Sequence, residues 1–257
     1  MIEISSDQLE IWFNSFIWPL TRILGLIAVA PVFGHRAIPR RIKIGLGVFI
    51  TLLVAPTLEN IPPISPSSLS GIFILIEQFI IGLAMGLTIQ MVFASIDLAG
   101  NLISMTMGLG FASFFDVQTQ ATTQVISQVL IIIMTMVYLS LNLHLVLLST
   151  LVESFVRLPV STSLLNQPDT WMQIMHAASI IFSSGVQLAL PIIAALLVTN
   201  LALGILTRAA PQLNLFGIGF PLTLIIGLLM LFIIMPYLSV PIQSVLERAV
   251  QRTALGW

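Results

Sequence analysis

The sequence predicts an all-α membrane protein with about six long hydrophobic helices, some of them kinked or projecting beyond the bilayer. Hydrophobic residues make up 58% of the 257 residues and charged residues only 7%, and the apolar residues gather into six long stretches. A soluble domain usually carries about 25% charged residues. Because this chain has too few charges to coat a globule in water, most of its surface must face lipid or neighbouring apolar protein.

The apolar stretches define the predicted helices, since roughly 20 apolar residues are needed to cross the hydrocarbon layer. They are residues 11–33, 44–58, 71–96, 125–152, 174–206 and 216–240. The second stretch is short and ends beside Pro56. The fifth would rise about 50 Å as one helix, against a hydrocarbon core of about 30 Å. We therefore expect it either to break at Pro191 or to project beyond the bilayer.

Basic residues are concentrated in two of the predicted loops. The loop between the first two stretches contains Arg36, Arg40, Arg41 and Lys43, with Pro39 among them, and Arg208 lies between the fifth and sixth stretches. Because cytoplasmic loops are enriched in Lys and Arg, these two loops are predicted to lie inside. An even number of spans then places both termini and residues 59–70 outside.

Several classes of function are disfavoured by what the sequence lacks. It contains no Walker loop, no Gly-x-Ser-x-Gly elbow and no His-Glu-x-x-His motif. The absence of Cys rules out disulfides and thiolate metal sites. The basic residues form no long tract for nucleic acid. We expect membrane lipid as a partner, and neither enzymatic activity nor a cofactor or metal.

Three charged residues lie in or beside the apolar stretches. Arg22 is near the middle of the first, Glu77 is inside the third, and Asp97 directly follows the third. Charged groups are costly in lipid and usually mark an ion pair or a pathway. Arg22 and Glu77 differ in predicted depth by about one helical turn, so they could pair. An architectural pair is favoured over a proton relay, because a relay normally needs more acidic groups at mid-depth.

Residues 98–124 differ in composition from the apolar stretches, because Gly, Met and Phe are mixed there with small polar residues. We call this segment the Gly/Met/Phe stretch. Glycine allows hinge-like changes of φ and ψ, and bulky Met and Phe could block a wide channel by excluding water. A tight helix–helix interface explains the same composition equally well. The residues singled out are Met105, Met107, Gly108, Gly110, Phe111, Phe114 and Phe115.

Three strings in the sequence carry a family resemblance. The first is residues 208–222, RAAPQLNLFGIGFPL, and the second is the basic turn 36–43. The third is residues 107–116, MGLGFASFFD. Together they resemble the FliR/SctT family of type III export-gate subunits, and the flagellar branch more than the injectisome branch. The residues that carry the first string are Arg208, Pro211, Gln212, Asn214, Phe216 and Pro221.

The resemblance implies a role that the residues alone do not show. A single copy would join FliP-like and FliQ-like subunits in a hetero-oligomeric helical export gate of the flagellar basal body, in the bacterial inner membrane. Residues 1–170 of the single membrane domain 1–257 would be similar to a P subunit, and 171–257 to the helical hairpin of a Q subunit. Exported unfolded polypeptide would pass a plug formed by the Gly/Met/Phe stretch, with FlhB-like and FlhA-like components nearby.

Three other functions stay open at this point. An injectisome export gate would use the same architecture for other substrates. A secondary transporter for a small solute would carry inverted repeats and a polar site at mid-membrane, neither of which is evident in the sequence. A membrane scaffold without a pore is the third alternative.

Overall fold

The structure is a computed structural model that describes residues 6–58, 62, 64–109, 125–160, 168–210 and 215–254. Within these residues the chain forms seven α-helices, one short 3-10 turn and no β-strand. The all-α prediction is therefore confirmed. The helices are α1 (Ser6–Val29), α2 (Arg40–Val54), α3 (Leu69–Thr106), α4 (Val125–Ser140), α5 (Leu143–Arg157), α6 (Pro168–Ala209) and α7 (Leu215–Ala254), and the 3-10 turn covers Ala55–Thr57.

Four of the helices are long and apolar enough to cross a membrane within the described part of the chain. These spans are Trp12–Val29, Leu69–Thr106, Ile181–Ala209 and Gly217–Tyr237. Helices α4 and α5 add a fifth if they count as one broken span. The break comes at Asn142, whose φ of 54° is left-handed, a conformation that Asn tolerates better than most residues. The prediction of about six helices is thus approximate.

Two predicted boundaries are corrected by the structure. Helix α6 continues through Pro191 without a break, so the first of the two alternatives is wrong. Its 42 residues rise about 63 Å, more than the hydrocarbon core of about 30 Å. Helix α3 does not end near Ile96 but runs on to Thr106. Residues 98–106, the first nine of the Gly/Met/Phe stretch, are therefore helical.

The chain divides into two compact units, which are described separately. The first contains Met1–Met91, Asn142–Ala177 and Glu247–Trp257, and the second contains Val92–Leu141 and Ala178–Leu246. Helices α3, α6 and α7 each contribute residues to both. The predicted division at residue 170 concerns similarity to other subunits rather than internal contacts, so it stays a prediction.

In the first unit, α1 packs directly against the backbone of α3 through glycines. A Cβ added to Gly82 would collide with the carbonyl of Arg22 and would lie 2.9 Å from the backbone nitrogen of Leu26. A Cβ on Gly86 would lie 2.9 Å from the carbonyl oxygen of Leu26. This Gly-x-x-x-Gly spacing lets two helices approach closely. It brings α1, including Arg22, against α3.

The second unit uses small residues in the same way. The backbone of Gly100 on α3 lies against that of Ser127 on α4, and an added Cβ would lie 2.8 Å from the Ser127 nitrogen. Gly185 on α6 approaches the carbonyl oxygen of Ser95, at 2.8 Å from an added Cβ. This close packing explains why α3 stays helical beyond Ile96: its small residues face neighbouring helices.

Candidate functional site

Arg22 is fully buried on α1 and joins two other segments of the first unit. Its Nε donates to Oε1 of Gln78 on α3 at 2.8 Å. One terminal nitrogen donates to Oγ of Ser154 on α5 at 3.0 Å, and the other donates to the carbonyl oxygen of Leu158 at 2.9 Å. The guanidinium carbon also lies 4.1 Å from the centre of the Phe155 ring. The arginine clamp, defined by these five residues, ties α1 to α3 and α5.

The partners in the arginine clamp are neutral oxygens and an aromatic face. Hydrogen bonds from a charged donor are shorter and stronger than neutral ones, and a cation over an aromatic ring is attracted to its π electrons. Three of the five guanidinium N–H groups are used. The arrangement holds the cation in place through neutral hydrogen-bond partners, which favours architecture over a relay.

Glu77 is buried in the same unit and is only 7% exposed. It attracts Arg22 electrostatically, but the direct hydrogen-bond partner on α3 is its neighbour Gln78. The two charges predicted to be close are therefore in the same cluster, and Gln78 makes the contact that the sequence suggested for Glu77.

Asp97 lies in the second unit and is partly buried on α3. Its carboxylate accepts a hydrogen bond from Oγ of Ser127 on α4. This bond is one turn of α3 away from Gly100, where the two helices touch. Asp97 thus belongs to the α3–α4 contact of the second unit.

Within the Gly/Met/Phe stretch, residues 98–124, Met107 is held in place by contacts in the second unit. The Met107 side chain is fully buried, and its carbonyl oxygen accepts a hydrogen bond from the Thr223 hydroxyl of α7 at 3.1 Å. The Met107 Sδ occupies the space that a side chain on Gly227 would need, since an added Cβ would lie 2.8 Å away. The Met107 anchor, defined by these three residues, fixes the end of α3 on α7.

Gly108 directly follows the anchor and has a φ of 83°. Only glycine adopts this left-handed conformation without steric cost, and the ring of Phe220 lies 3.3 Å from where a Cβ would stand. Met105, in the last turn of α3, is 64% exposed. The remaining predicted plug residues, Gly110, Phe111, Phe114 and Phe115, lie outside the described residues.

The basic loop between α1 and α2 exposes most of its predicted side chains. Arg36, Arg40 and Arg41 are exposed, while Lys43 is partly buried and donates from Nζ to the Gly34 carbonyl at 2.7 Å. Pro39 is the residue that precedes the first turn of α2. Of the four basic residues predicted to lie in this loop, only Arg36 precedes the helix, because α2 already begins at Arg40. Arg40, Arg41 and Lys43 lie in its first turn, so the predicted loop boundary is corrected.

The string near residue 208 is only partly within the described residues. Arg208 is exposed in the last turn of α6, and Pro221 is exposed on α7. Phe216 lies in the first turn of α7. Pro211, Gln212 and Asn214 lie outside the described residues.

Sequence reasoning did not identify the residues that hold the two sites together. Ser154 stands one turn from Thr150 on α5, and this pair of small polar residues at i,i+4 could have indicated an inward face. The Gly82–Gly86 spacing was a second available signal. On α7, Gly219, Thr223 and Gly227 are spaced four residues apart, so the same kind of signal was available there. No group of three metal-ligating side chains occurs in the part of the chain that the structure describes.

Comparison with known proteins places the chain in a family. Residues 13–249 match the sequence profile of the bacterial export proteins, family 1. The chain is 45% identical over 237 residues to the flagellar biosynthetic protein FliR of Pectobacterium carotovorum subsp. carotovorum, covering 92% of this chain and 90% of the relative. The identity to the protein of that name in Escherichia coli (strain K12) is 40% over 240 residues, covering 93% and 91%. For Bacillus subtilis (strain 168) it is 30% over 241 residues, covering 93% of both. The chain therefore belongs to the family of bacterial export proteins that includes the flagellar biosynthetic protein FliR.

Proposed function

We propose that this chain is a non-enzymatic core subunit of the flagellar protein-export channel, through which unfolded flagellar proteins cross the inner membrane. Its family membership and its membrane-spanning helices support a flagellar export component. The proposal adds that one copy assembles with FliP-like and FliQ-like subunits around a shared channel, beside FlhB-like and FlhA-like components. Energy for export comes from those other components.

The Met107 anchor is the observation that carries the channel-blocking role. A plug needs a fixed base and a hinge, because otherwise its bulky residues could not return to one position. Met107 provides a base through its bond to Thr223 and its seat beside Gly227. Gly108, with its left-handed φ, provides the hinge. The apolar residues that follow, Phe111 to Phe115, would then exclude water from the channel.

Ion permeability tests the plug. Changing Phe111, Phe114 and Phe115 together to Ala, or deleting residues 108–115, is expected to make the membrane leaky to small ions while assembly continues. The matched control is the double change F182A/F232A, because Phe182 on α6 and Phe232 on α7 are exposed phenylalanines outside the stretch. Conductance and salt-sensitive growth are compared. Unchanged permeability with intact assembly would identify the stretch as a helix–helix interface and the protein as a scaffold without a pore.

Co-purification tests the proposed partners. A tagged copy is expected to travel with P-type and Q-type subunits as one large complex that contains a single copy of this chain, as native mass spectrometry would show. Expressed alone, the chain should be degraded or should aggregate in mild detergent, because apolar faces of α6 and α7 and the length of α6 beyond the bilayer stay uncovered. A monodisperse monomer or homodimer would contradict the proposal and favour a small-solute transporter.

A further inference from the structure

Helix α2 is too short to cross the bilayer. Its 15 residues rise about 22 Å, against a hydrocarbon core of about 30 Å. It ends in the 3-10 turn Ala55–Thr57, which contains Pro56, so it is not continued. It follows the span Trp12–Val29 after a short loop. The start of α2 therefore lies near the membrane surface at which that span ends.

One face of α2 is left uncovered by the described residues of the first unit. Gly47, Thr51 and Val54 are buried, and an added Cβ on Gly47 would lie 2.7 Å from Cδ2 of Leu24 on α1. The other face is apolar and open. Its side chains, each more than half exposed, are Ile42, Phe49, Leu52 and Leu53. An apolar face of this size needs either lipid or a partner to cover it.

The charges of this region are confined to its first turn and the loop before it. Arg36, Arg40 and Arg41 are exposed, and Lys43 is tied back to Gly34. Residues 44–54 contain no charged residue, and the sequence has no Asp or Glu between Glu10 and Glu59. Along its axis the helix is therefore cationic first and apolar afterwards.

We propose that α2 inserts into one leaflet of the bilayer and that Arg36, Arg40 and Arg41 bind the phosphate groups of anionic phospholipids there. The cationic start of α2 would lie among the lipid headgroups, and the apolar residues that follow would lie among the acyl chains of the same leaflet. Guanidinium groups bind phosphate oxygens in a bidentate manner, and clustered Arg and Lys beside a membrane span attract anionic lipid. A solvated α2 would instead leave its apolar face exposed to water.

Lipid retention tests the headgroup contacts. The full chain, with the subunits that co-purify, is placed in nanodiscs containing equal phosphatidylglycerol and phosphatidylcholine, and the retained lipids are counted by native mass spectrometry. The wild type should retain phosphatidylglycerol preferentially. Each lost cation should lower that preference about five-fold, so R40Q/R41Q should lower it more than ten-fold. Equal retention by the wild type and R40Q/R41Q would overturn the proposal.

Two further variants keep that comparison interpretable. R40K/R41K preserves the charge and should keep most of the preference, whereas R157Q removes an exposed arginine on α5 and should leave it unchanged. If R40Q/R41Q fails to insert, R36Q carries the comparison, because Arg36 precedes the helix and is exposed. A loss of preference in R157Q as large as in R40Q/R41Q would also overturn the assignment, since it would reflect net charge alone.

Fluorescence quenching tests the apolar face. The chain contains no Cys, so F49C can be labelled at one site with an environment-sensitive fluorophore in the same nanodiscs. Quenchers attached to the acyl chains should quench it strongly, and an aqueous quencher should not. Protection from both quenchers would show that another protein covers this face, and quenching by the aqueous reagent alone would show that the face is solvated. Either result rejects insertion of α2 into the leaflet.

Discussion

Replacing Arg22 with Leu should destabilise the first unit severely. The change removes three hydrogen bonds and the contact with the Phe155 ring. Oε1 of Gln78 is left fully buried without its donor, while Ser154 still donates to Leu151 and Leu158 is partly exposed. One buried unsatisfied group costs about 1–3 kcal/mol, and removing one partner of a buried charged cluster costs about 3–5 kcal/mol. We expect a loss of about 3 kcal/mol or more.

The assay is unfolding of the purified chain, with its co-purifying subunits, by SDS in mixed micelles. The control is Arg157→Leu, because Arg157 pairs with Glu153 at 3.5 Å while both side chains are about half exposed. Such a pair contributes about 0–1 kcal/mol. The loss of stability in Arg22→Lys should lie between those of Arg22→Leu and Arg157→Leu, because a lysine keeps the charge but cannot reproduce the planar set of donors.

A double change tests the electrostatic part of the argument. Arg22→Leu removes the cation that attracts the buried Glu77, so the further change Glu77→Leu should restore part of the lost stability. If Arg22→Leu unfolds at the same SDS concentration as wild type, the reasoning is refuted. The guanidinium would then be satisfied elsewhere, in water or against another subunit.

Three further predictions follow from the packing and the topology. Gly82→Ala should cost at least about 2 kcal/mol, since its Cβ would meet backbone, whereas Gly45→Ala, with nothing within 4 Å, should be neutral or stabilising by up to about 1 kcal/mol in the same SDS titration. Gly227→Ala should displace the Met107 side chain and raise ion leak. Gly204→Ala should not, because nothing lies within 4 Å of the added Cβ, and equal conductance of the two variants would count against the anchor. A cysteine at Arg40 should resist an impermeant thiol reagent added to the periplasmic side, and strong labelling there would reverse the topology.

Composition was sufficient to predict a membrane protein, because a chain with 7% charged residues cannot cover its surface with groups that favour water. The cost of a charge in lipid likewise pointed to Arg22 and Glu77. The sequence could not identify the residue of α3 that bonds directly to Arg22, since adjacent residues on a helix point about 100° apart. Choosing Gln78 over Glu77 therefore requires the rotation of α3 about its axis. That rotation is set by Gly82 and Gly86 against α1, a tertiary contact.

The limits of local signals are clearest where the helices end. Pro191 removes a backbone donor and favours a break, yet α6 passes through it. The glycines and small polar residues after Ile96 favour a loop, yet α3 uses Gly100 to approach Ser127 and stays helical to Thr106. In both places packing against neighbouring helices outweighs the preference of the residues themselves. Predicting that α3 and α6 continue as helices would have required the positions of those neighbouring helices.

The arginine clamp has a consequence for biosynthesis. Gln78 follows Arg22 by 56 residues and Ser154 follows it by 132. At about 5–20 residues per second, a ribosome needs about 3–11 s to supply the first partner and about 7–26 s to supply the second. During that interval α1 carries a cation with no partner of its own chain. Nascent α1 is therefore expected to wait at the translocon or in a hydrated position until α3 and α5 are made. A chain truncated before Ser154 would release it into lipid with only one of its three hydrogen bonds, the one to Gln78.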